Sequence, residues 1–344
     1  MTDPLESAAR PTHGRRSLLT GGIKLAAGAV VLGGGSLLAA SPAYAAVPDS
    51  PKFYLPGAGG NPVWRQTLHQ PNWAMQSFAY DSVNDNIYFA QHKVGSDTGD
   101  LWLSKTDLFG KVLSTMAIHG FGHGSSMGVE TAGAGNSPYI WIESHSVNDA
   151  GTRIARFRWV DDGTLETTSS SIYNRTPTVS SFAHSPRPAI DTHYDRVLFR
   201  YHSGSATRPW RIAVFTLADA VAGRLSDGYR LTERAIPTNQ ELGLTDADSF
   251  QGITSCGRYA YLIFGGPNRS SYLVTLDLND TGSSYVEKFL TNAGDSLPGR
   301  EAQGIAIWRF NGAPRLAFGY SSKITSTEPD SFESSVFYKS EFSA

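Results

Sequence analysis

The chain has 344 residues, with 29 basic and 31 acidic side chains, an 11% aromatic content, 35 glycines, 18 prolines and a single cysteine. A near-neutral chain with no basic stripe lacks the electrostatic footprint of a nucleic-acid binder, and no Lys/Arg-rich amphipathic segment suits a membrane surface. Lone Cys256 excludes an internal disulfide framework, so a domain of this length must be held by its core.

In chain order, the first segment is a leader. A polar stretch with Arg10, Arg15 and Arg16 runs into a Gly/Ala-rich apolar segment from Gly21 to Ala40, followed by Ala43-Tyr44-Ala45. That is the pattern of a signal peptide with a small-residue cleavage site. The Arg15-Arg16 pair and the weakly apolar core containing Lys24 point to the twin-arginine export machinery. Glycines break the apolar run, which argues against a spanning helix of about 20 predominantly apolar residues and hence against stable membrane insertion. The expected organisation is a twin-arginine signal peptide over residues 1–45 and one domain over residues 46–344, secreted in a folded state. The exported part carries 25 basic and 29 acidic residues, a net charge of −4 with histidine neutral.

Past the leader, one phrase recurs five times. It begins as Met75-Gln76-Ser77-Phe78-Ala79, Ser126-Met127-Gly128-Val129-Glu130, Arg187-Pro188-Ala189-Ile190-Asp191, Phe250-Gln251-Gly252-Ile253-Thr254 and Ala302-Gln303-Gly304-Ile305-Ala306. After a short turn each is answered by a β-branched or aromatic run such as Asn86-Ile87-Tyr88-Phe89-Ala90 or Tyr139-Ile140-Trp141-Ile142-Glu143. A third strand follows in every unit, and a fourth is visible in several. Four antiparallel strands recurring at roughly 50 to 60 residues is propeller periodicity. The sequence therefore predicts an all-β, five-bladed β-propeller of four-stranded antiparallel blades. Small residues in the first strand suit the crowded axis. The last unit lacks a fourth strand, whereas Val63-Trp64-Arg65-Gln66-Thr67-Leu68 has no blade of its own, so the N-terminal strand is expected to complete the last blade and close the ring. A β-sandwich would not explain the fivefold phrase.

Antiparallel neighbours put the start of the first strand and the end of the second on one face. That face should collect Gln76, Arg187, Gln251 and Gln303 from first strands, and His92, His145 and His202 from second-strand ends. Glu143 and Arg200 join them by period-two alternation, which turns Tyr201 the other way unless the strand end bulges. His123 enters between Gly122 and Gly124, where the backbone can approach a ligand closely. The histidines have neither H-x-x-x-H nor H-E-x-x-H spacing, so no metal site is read and no cofactor is required by the sequence. A G-x-S-x-G elbow is missing. Asp81, Glu130 and Asp191 follow the first strands towards the opposite face, where turn acids are expected rather than a glycosidase pair.

At Gly122-His123-Gly124-Ser125-Ser126-Met127-Gly128-Val129-Glu130, followed by Tyr139-Ile140-Trp141-Ile142-Glu143, the sequence resembles the propeller domain shared by bacterial teichoic acid biosynthesis protein C and certain staphylococcal phage receptor-binding proteins. The resemblance implies a cell-surface or cell-wall polysaccharide as partner. A second similarity, to propeller polysaccharide lyases, concerns residue types and their order: His123, His145, Arg200 and Tyr201 would be catalytic. Such an enzyme removes the proton beside a uronate carboxylate, an arginine neutralising the acid while histidine or tyrosine acts as base. The leading expectation is lyase-type β-elimination of an anionic extracellular polysaccharide, with Gln76, His92, Glu143, Arg187, His202, Gln251, Gln303 and Trp210 binding substrate. The alternatives are a non-catalytic glycan-binding propeller, in which Trp73, Trp102, Trp141 and Trp210 are stacking candidates, a glycoside hydrolase, and a scaffold for a protein partner.

Overall fold

Short β-branched and aromatic runs, separated by turns, form twenty-one strands in a computed structural model that describes residues 46–325 and 331–343. The leader expected over residues 1–45 lies outside the described residues. After an N-terminal strand β1 (Gly59–Gln66), the first blade consists of β2 (Trp73–Asp81), β3 (Asn86–Lys93), β4 (Leu101–Thr106) and β5 (Val112–His119). The second is built from β6 (Met127–Glu130), β7 (Tyr139–Val147), β8 (Ala150–Arg158) and a two-residue outer strand β10 (Tyr173–Asn174). Between β8 and β10 in sequence, β9 (Gly163–Glu166) leaves its own blade and pairs in parallel with β5, giving the first blade a fifth strand.

The third blade comprises β11 (His184–Asp191), β12 (Arg196–His202), β13 (Trp210–Thr216) and β14 (Thr232–Ala235), with the short helix α1 (Leu217–Val221) before its last strand. The fourth comprises β15 (Ser249–Cys256), β16 (Tyr259–Gly265), β17 (Ser271–Asp277) and β18 (Glu287–Thr291). In the fifth, β19 (Glu301–Phe310), β20 (Ala313–Lys323) and β21 (Phe332–Lys339) are joined by β1, which pairs antiparallel with β21. The ring closes as expected, with the closing strand starting a few residues earlier than the apolar run suggested. Among the described residues no helix is long and apolar enough to cross a membrane.

Five hydrophobic clusters hold the blades, one between each adjacent pair. Their origin is the period-two pattern of the strands. In β3, Tyr88 and Ala90 face the cluster shared with the second blade, whereas Ile87 and Phe89 face the one shared with the fifth. Both faces of a middle strand are buried, which is why these strands read as continuous apolar runs. At the axis the first strands approach so closely that a Cβ on Gly128 would stand 2.6 Å from Ile190 Cγ1. A Cβ on Gly304, whose φ is +81°, would stand 2.9 Å from Ser77 Cα. Glycine is required there by space, and at Gly304 by backbone conformation as well.

Candidate functional site

The first strands of four blades break register at one equivalent place, in the third blade between His184 and Arg187. The other three breaks fall between Met75 and Ser77, between Phe250 and Gly252, and between Ala302 and Ile305. Gln76 and Gln251 are the extra residues of two of these three β-bulges, and Gln303 with Gly304 forms the third opposite Gly319. A bulge re-aims its side chain, and all three amides line a cavity of about 550 Å3. Gln76 and Gln303 are buried, and their Oε1 atoms have no protein hydrogen-bond partner. An unpartnered buried acceptor in a polar cavity is a place for a ligand donor.

His92, His123 and Asp149 line another wall of this cavity. His92 is the last residue but one of β3 and is buried. His123 lies in the Gly-rich segment before β6. Asp149 is at the tip of the β7–β8 hairpin, where Asn148 and Asp149 both have positive φ, 50° and 63°, as a two-residue type I′ turn requires. The Asp149 carboxylate reaches both rings: Oδ2 is 2.7 Å from His123 Nδ1, and Oδ1 is 2.8 Å from His92 Nε2. The first contact is a hydrogen bond; the second is close but not aligned as one. The two rings lie 4.8 Å apart, centroid to centroid. Burial lowers the pKa of His92, opposed by the Asp149 charge. Across the cavity burial raises the pKa of Glu301, which accepts a 3.1 Å hydrogen bond from Gln251 Nε2. Lys323 supplies a cation to the lining.

A second cavity of about 340 Å3 opens off the axis between the third and fourth blades. Its wall is Arg200, whose guanidinium is 3.5 Å from the Trp210 ring centroid and 3.8 Å from that of Phe250. Arg200 is 8% exposed, and its Nε has no hydrogen-bond partner. Burial lowers its pKa, the like charge of Arg187 adds to this, and Glu143 opposes it. Asn239 and Asp246 complete a polar side.

The residues expected to be catalytic are not brought together. His123 is in the central cavity and Arg200 in the second. Tyr201 is buried in the core between the second and third blades, its hydroxyl 2.8 Å from Ser181 Oγ, and burial raises its pKa. It follows the period-two alternation of β12, which pairs with β13 without a break; the bulge at this end lies in β11. His145, at φ 58°, lies beside Ser144 and Arg153 and lines neither cavity. Among the expected substrate ligands, Gln76, His92, Gln251 and Gln303 share the central cavity and Trp210 lines the second.

Glu143 and Arg187, expected to bind substrate, are instead scaffold. Glu143 is fully buried, accepts from Gly124 N at 2.7 Å and Gly151 N at 2.5 Å, and forms an ion pair with Arg187 Nη1 at 2.6 Å. His202 stacks on His184 at 4.3 Å and packs edge-on against Trp210. Trp141 is core and Trp102 stacks on His69. Asp81 and Asp191 cap the turns after their strands, and Glu130 pairs with Arg156, as turn acids should. Asp149 and Glu301 are the site residues that motif spacing missed. The Asn-Asp dipeptide between two strands was the signal for the first; the second immediately precedes the fifth repeat.

The model of one family, the phage 5-bladed β-propeller receptor-binding platform domain, matches residues 74–297. The chain belongs to that family. Among solved structures, this platform-domain chain is similar to the tail fiber of Staphylococcus aureus phage P68, with a TM-score of 0.59 and 18% identity over 78% of this chain and 50% of the fiber. It thus spans about half the length of that fiber. An α-L-arabinofuranosidase from Lactobacillus brevis matches at a TM-score of 0.44 and 8% identity, covering 79% of this chain and 94% of that one. A β-xylosidase/α-arabinofuranosidase from a compost microbial metagenome matches at 0.43 and 12%, with the same coverages. At those scores the two enzymes carry no argument about activity. No curated protein matches the sequence.

Proposed function

We propose that this platform-domain propeller is exported in a folded state and recognises an anionic extracellular or cell-envelope polysaccharide through the face that carries the two cavities. The observation that carries the reading is Arg200. Its guanidinium is buried between Trp210 and Phe250, and the carboxylate that acts on it at longer range, Glu143, is committed to Arg187. Leaving a cation buried and unpaired costs several kcal/mol. An anionic substituent of a glycan would offset that cost, with the rings as stacking surfaces for the sugar. A cavity of about 340 Å3 is in the range that takes a small ligand. The family description, a receptor-binding platform, supports recognition as the primary role.

The test is retention of the protein on immobilised uronate and cell-wall polymers. Arg200→Met and Trp210→Ala should each weaken retention at least tenfold, while His145→Ala should leave it unchanged. Retention on no anionic polymer, or a Trp210→Ala variant that binds like the wild type, would overturn the reading. Export is tested separately by fusing residues 1–45 to a folded reporter, which Arg15→Lys with Arg16→Lys should retain in the cytoplasm.

Cleavage by β-elimination is the second reading, favoured by the pairing of His123 Nδ1 with Asp149 and by Lys323 in the same cavity. His123 would remove the proton beside the uronate carboxylate, the electrons would form the C=C bond, and the glycosidic oxygen would leave with a proton from solvent. Unsaturated-product absorbance on uronate polymers that disappears in His123→Ala would support it. No absorbance on any such polymer would remove it and leave recognition standing.

A further inference from the structure

The central cavity holds a donor set that no sequence spacing displays. We propose that His92 Nε2, His123 Nδ1 and the Asp149 carboxylate form a binding site for one first-row divalent transition-metal ion of the zinc type. These atoms lie within 4.8 Å of one another. Around an ion held tetrahedrally with bonds of about 2.0–2.2 Å, donor atoms are separated by roughly 3.3–3.6 Å, so shifts of about 1 Å bring the three into place.

Two observations point to a cation rather than to an isolated ion pair. His92 is 3% exposed, and its Nε2 faces Asp149 Oδ1 at 2.8 Å without hydrogen-bond alignment, so two buried polar atoms meet without the bond that would justify their burial. Both imidazoles also converge on one carboxylate, the second within a polar cavity of about 550 Å3 that leaves room for water or ligand oxygen on the remaining coordination positions. Two nitrogen donors and one oxygen favour zinc, iron(II), cobalt(II) or nickel over calcium and magnesium, which take oxygen ligands.

The three side chains are held in advance. Asp149 is fixed by the type I′ hairpin turn. Buried Glu143 binds Gly124 N, next to His123, and Gly151 N, two residues after Asp149. His92 is locked in β3. The site is separate from the residues that carry the recognition reading, because Arg200 and Trp210 line the other cavity.

The experiment takes the full chain, stripped with a chelator and dialysed, and titrates it calorimetrically with Zn2+. The expected result is one equivalent bound, with affinity lowered at least about tenfold in His92→Ala, His123→Gln and Asp149→Asn. Co2+ should give visible d–d absorption that is lost in His123→Gln. That side chain is 42% exposed, so its replacement should leave the melting temperature unchanged and separate loss of metal from loss of fold. Absence of Zn2+ uptake by the wild type, or wild-type affinity in a folded His123→Gln or Asp149→Asn variant, would overturn the proposal.

Discussion

Replacing Glu143 with glutamine tests whether one buried carboxylate both braces two blades and holds the central cavity in shape. Glu143 has no solvent exposure, accepts from the amides of Gly124 and Gly151, and forms an ion pair with the guanidinium of Arg187. Arg187 belongs to the third blade and also reaches Ser125 Oγ at 2.9 Å, so the pair ties the His123 segment to that blade. Glutamine keeps one acceptor oxygen but presents an NH2 where the second stood, and it strips Arg187 of its counter-charge. Breaking one partner of a buried pair costs about 3–5 kcal/mol. In a domain of this size each kcal/mol lowers Tm by roughly 2–4 °C, so Glu143→Gln should melt at least about 6 °C below the wild type. Thermal unfolding followed by circular dichroism measures this, and hydrogen exchange should show faster exchange at Gly124 and Gly151. The double variant Glu143→Gln with Arg187→Met removes the orphaned charge, so it should cost clearly less than the sum of the single variants. A Tm shift under about 2 °C, or additive single variants, would refute the assignment of the pair as a coupled brace.

Three further outcomes follow from the same structure. Deleting residues 46–70 removes β1 together with the buried side chains of Phe53, Leu55, Val63 and Leu68, each worth about 1.5–3 kcal/mol of burial. The total is comparable with the 5–15 kcal/mol that usually holds a domain, and the truncated protein should show no cooperative melt; an unchanged melt would disprove ring closure by β1. Gly304→Val forces a β-branched residue into φ +81° with its Cβ 2.9 Å from Ser77 Cα, and should lower stability by at least about 2 kcal/mol in denaturant titration. For Glu301, burial raises the folded-state pKa above the ordinary value near 4.5. The stability that the protonated acid contributes is complete below the unfolded pKa and is lost as pH rises through the folded one. Glu301→Gln should therefore be more stable than the wild type around pH 7, with the advantage fading towards about pH 4; an advantage that grows on acidification would contradict the sign.

The propeller was legible because its repeat is also its packing rule. Each middle strand faces two neighbouring blades, so each writes the same two-sided apolar run, and the crowded axis demands small residues such as Gly128 and Gly304. The face that carries the site was legible for a similar reason, since strand direction fixes which ends lie together. Radius was not. Strand alternation says which face Arg200 and His123 share, but that face is a ring of loops. Whether a side chain at a strand end reaches the axis depends on bulges and on the next blade. Gln76, Gln251 and Gln303 reach it because each lies in a bulge, whereas Arg200 is captured off-axis by Phe250 of the following blade. Asp149 escaped because its partner His123 is 26 residues away and only the curl of the β7–β8 hairpin brings it back.

Near-equivalent positions of the repeat thus perform different work, and that asymmetry defines the site better than the symmetry does. Blades one, four and five each send a bulged glutamine to the central cavity, and blade two sends His123 and Asp149. Blade three departs. Near the same point of its first strand stands Arg187, turned into a buried pair with Glu143, so that side of the mouth is closed by scaffold. Its second-strand end instead delivers Arg200 to a separate, aromatic-lined cavity. A polymer lying across this face would meet a polar, amide-lined cavity on the axis and a single caged cation beside it. Loss of binding in Arg200→Met and in a variant of the central glutamines should therefore be separable, the former sensitive to the charge of the ligand and the latter not.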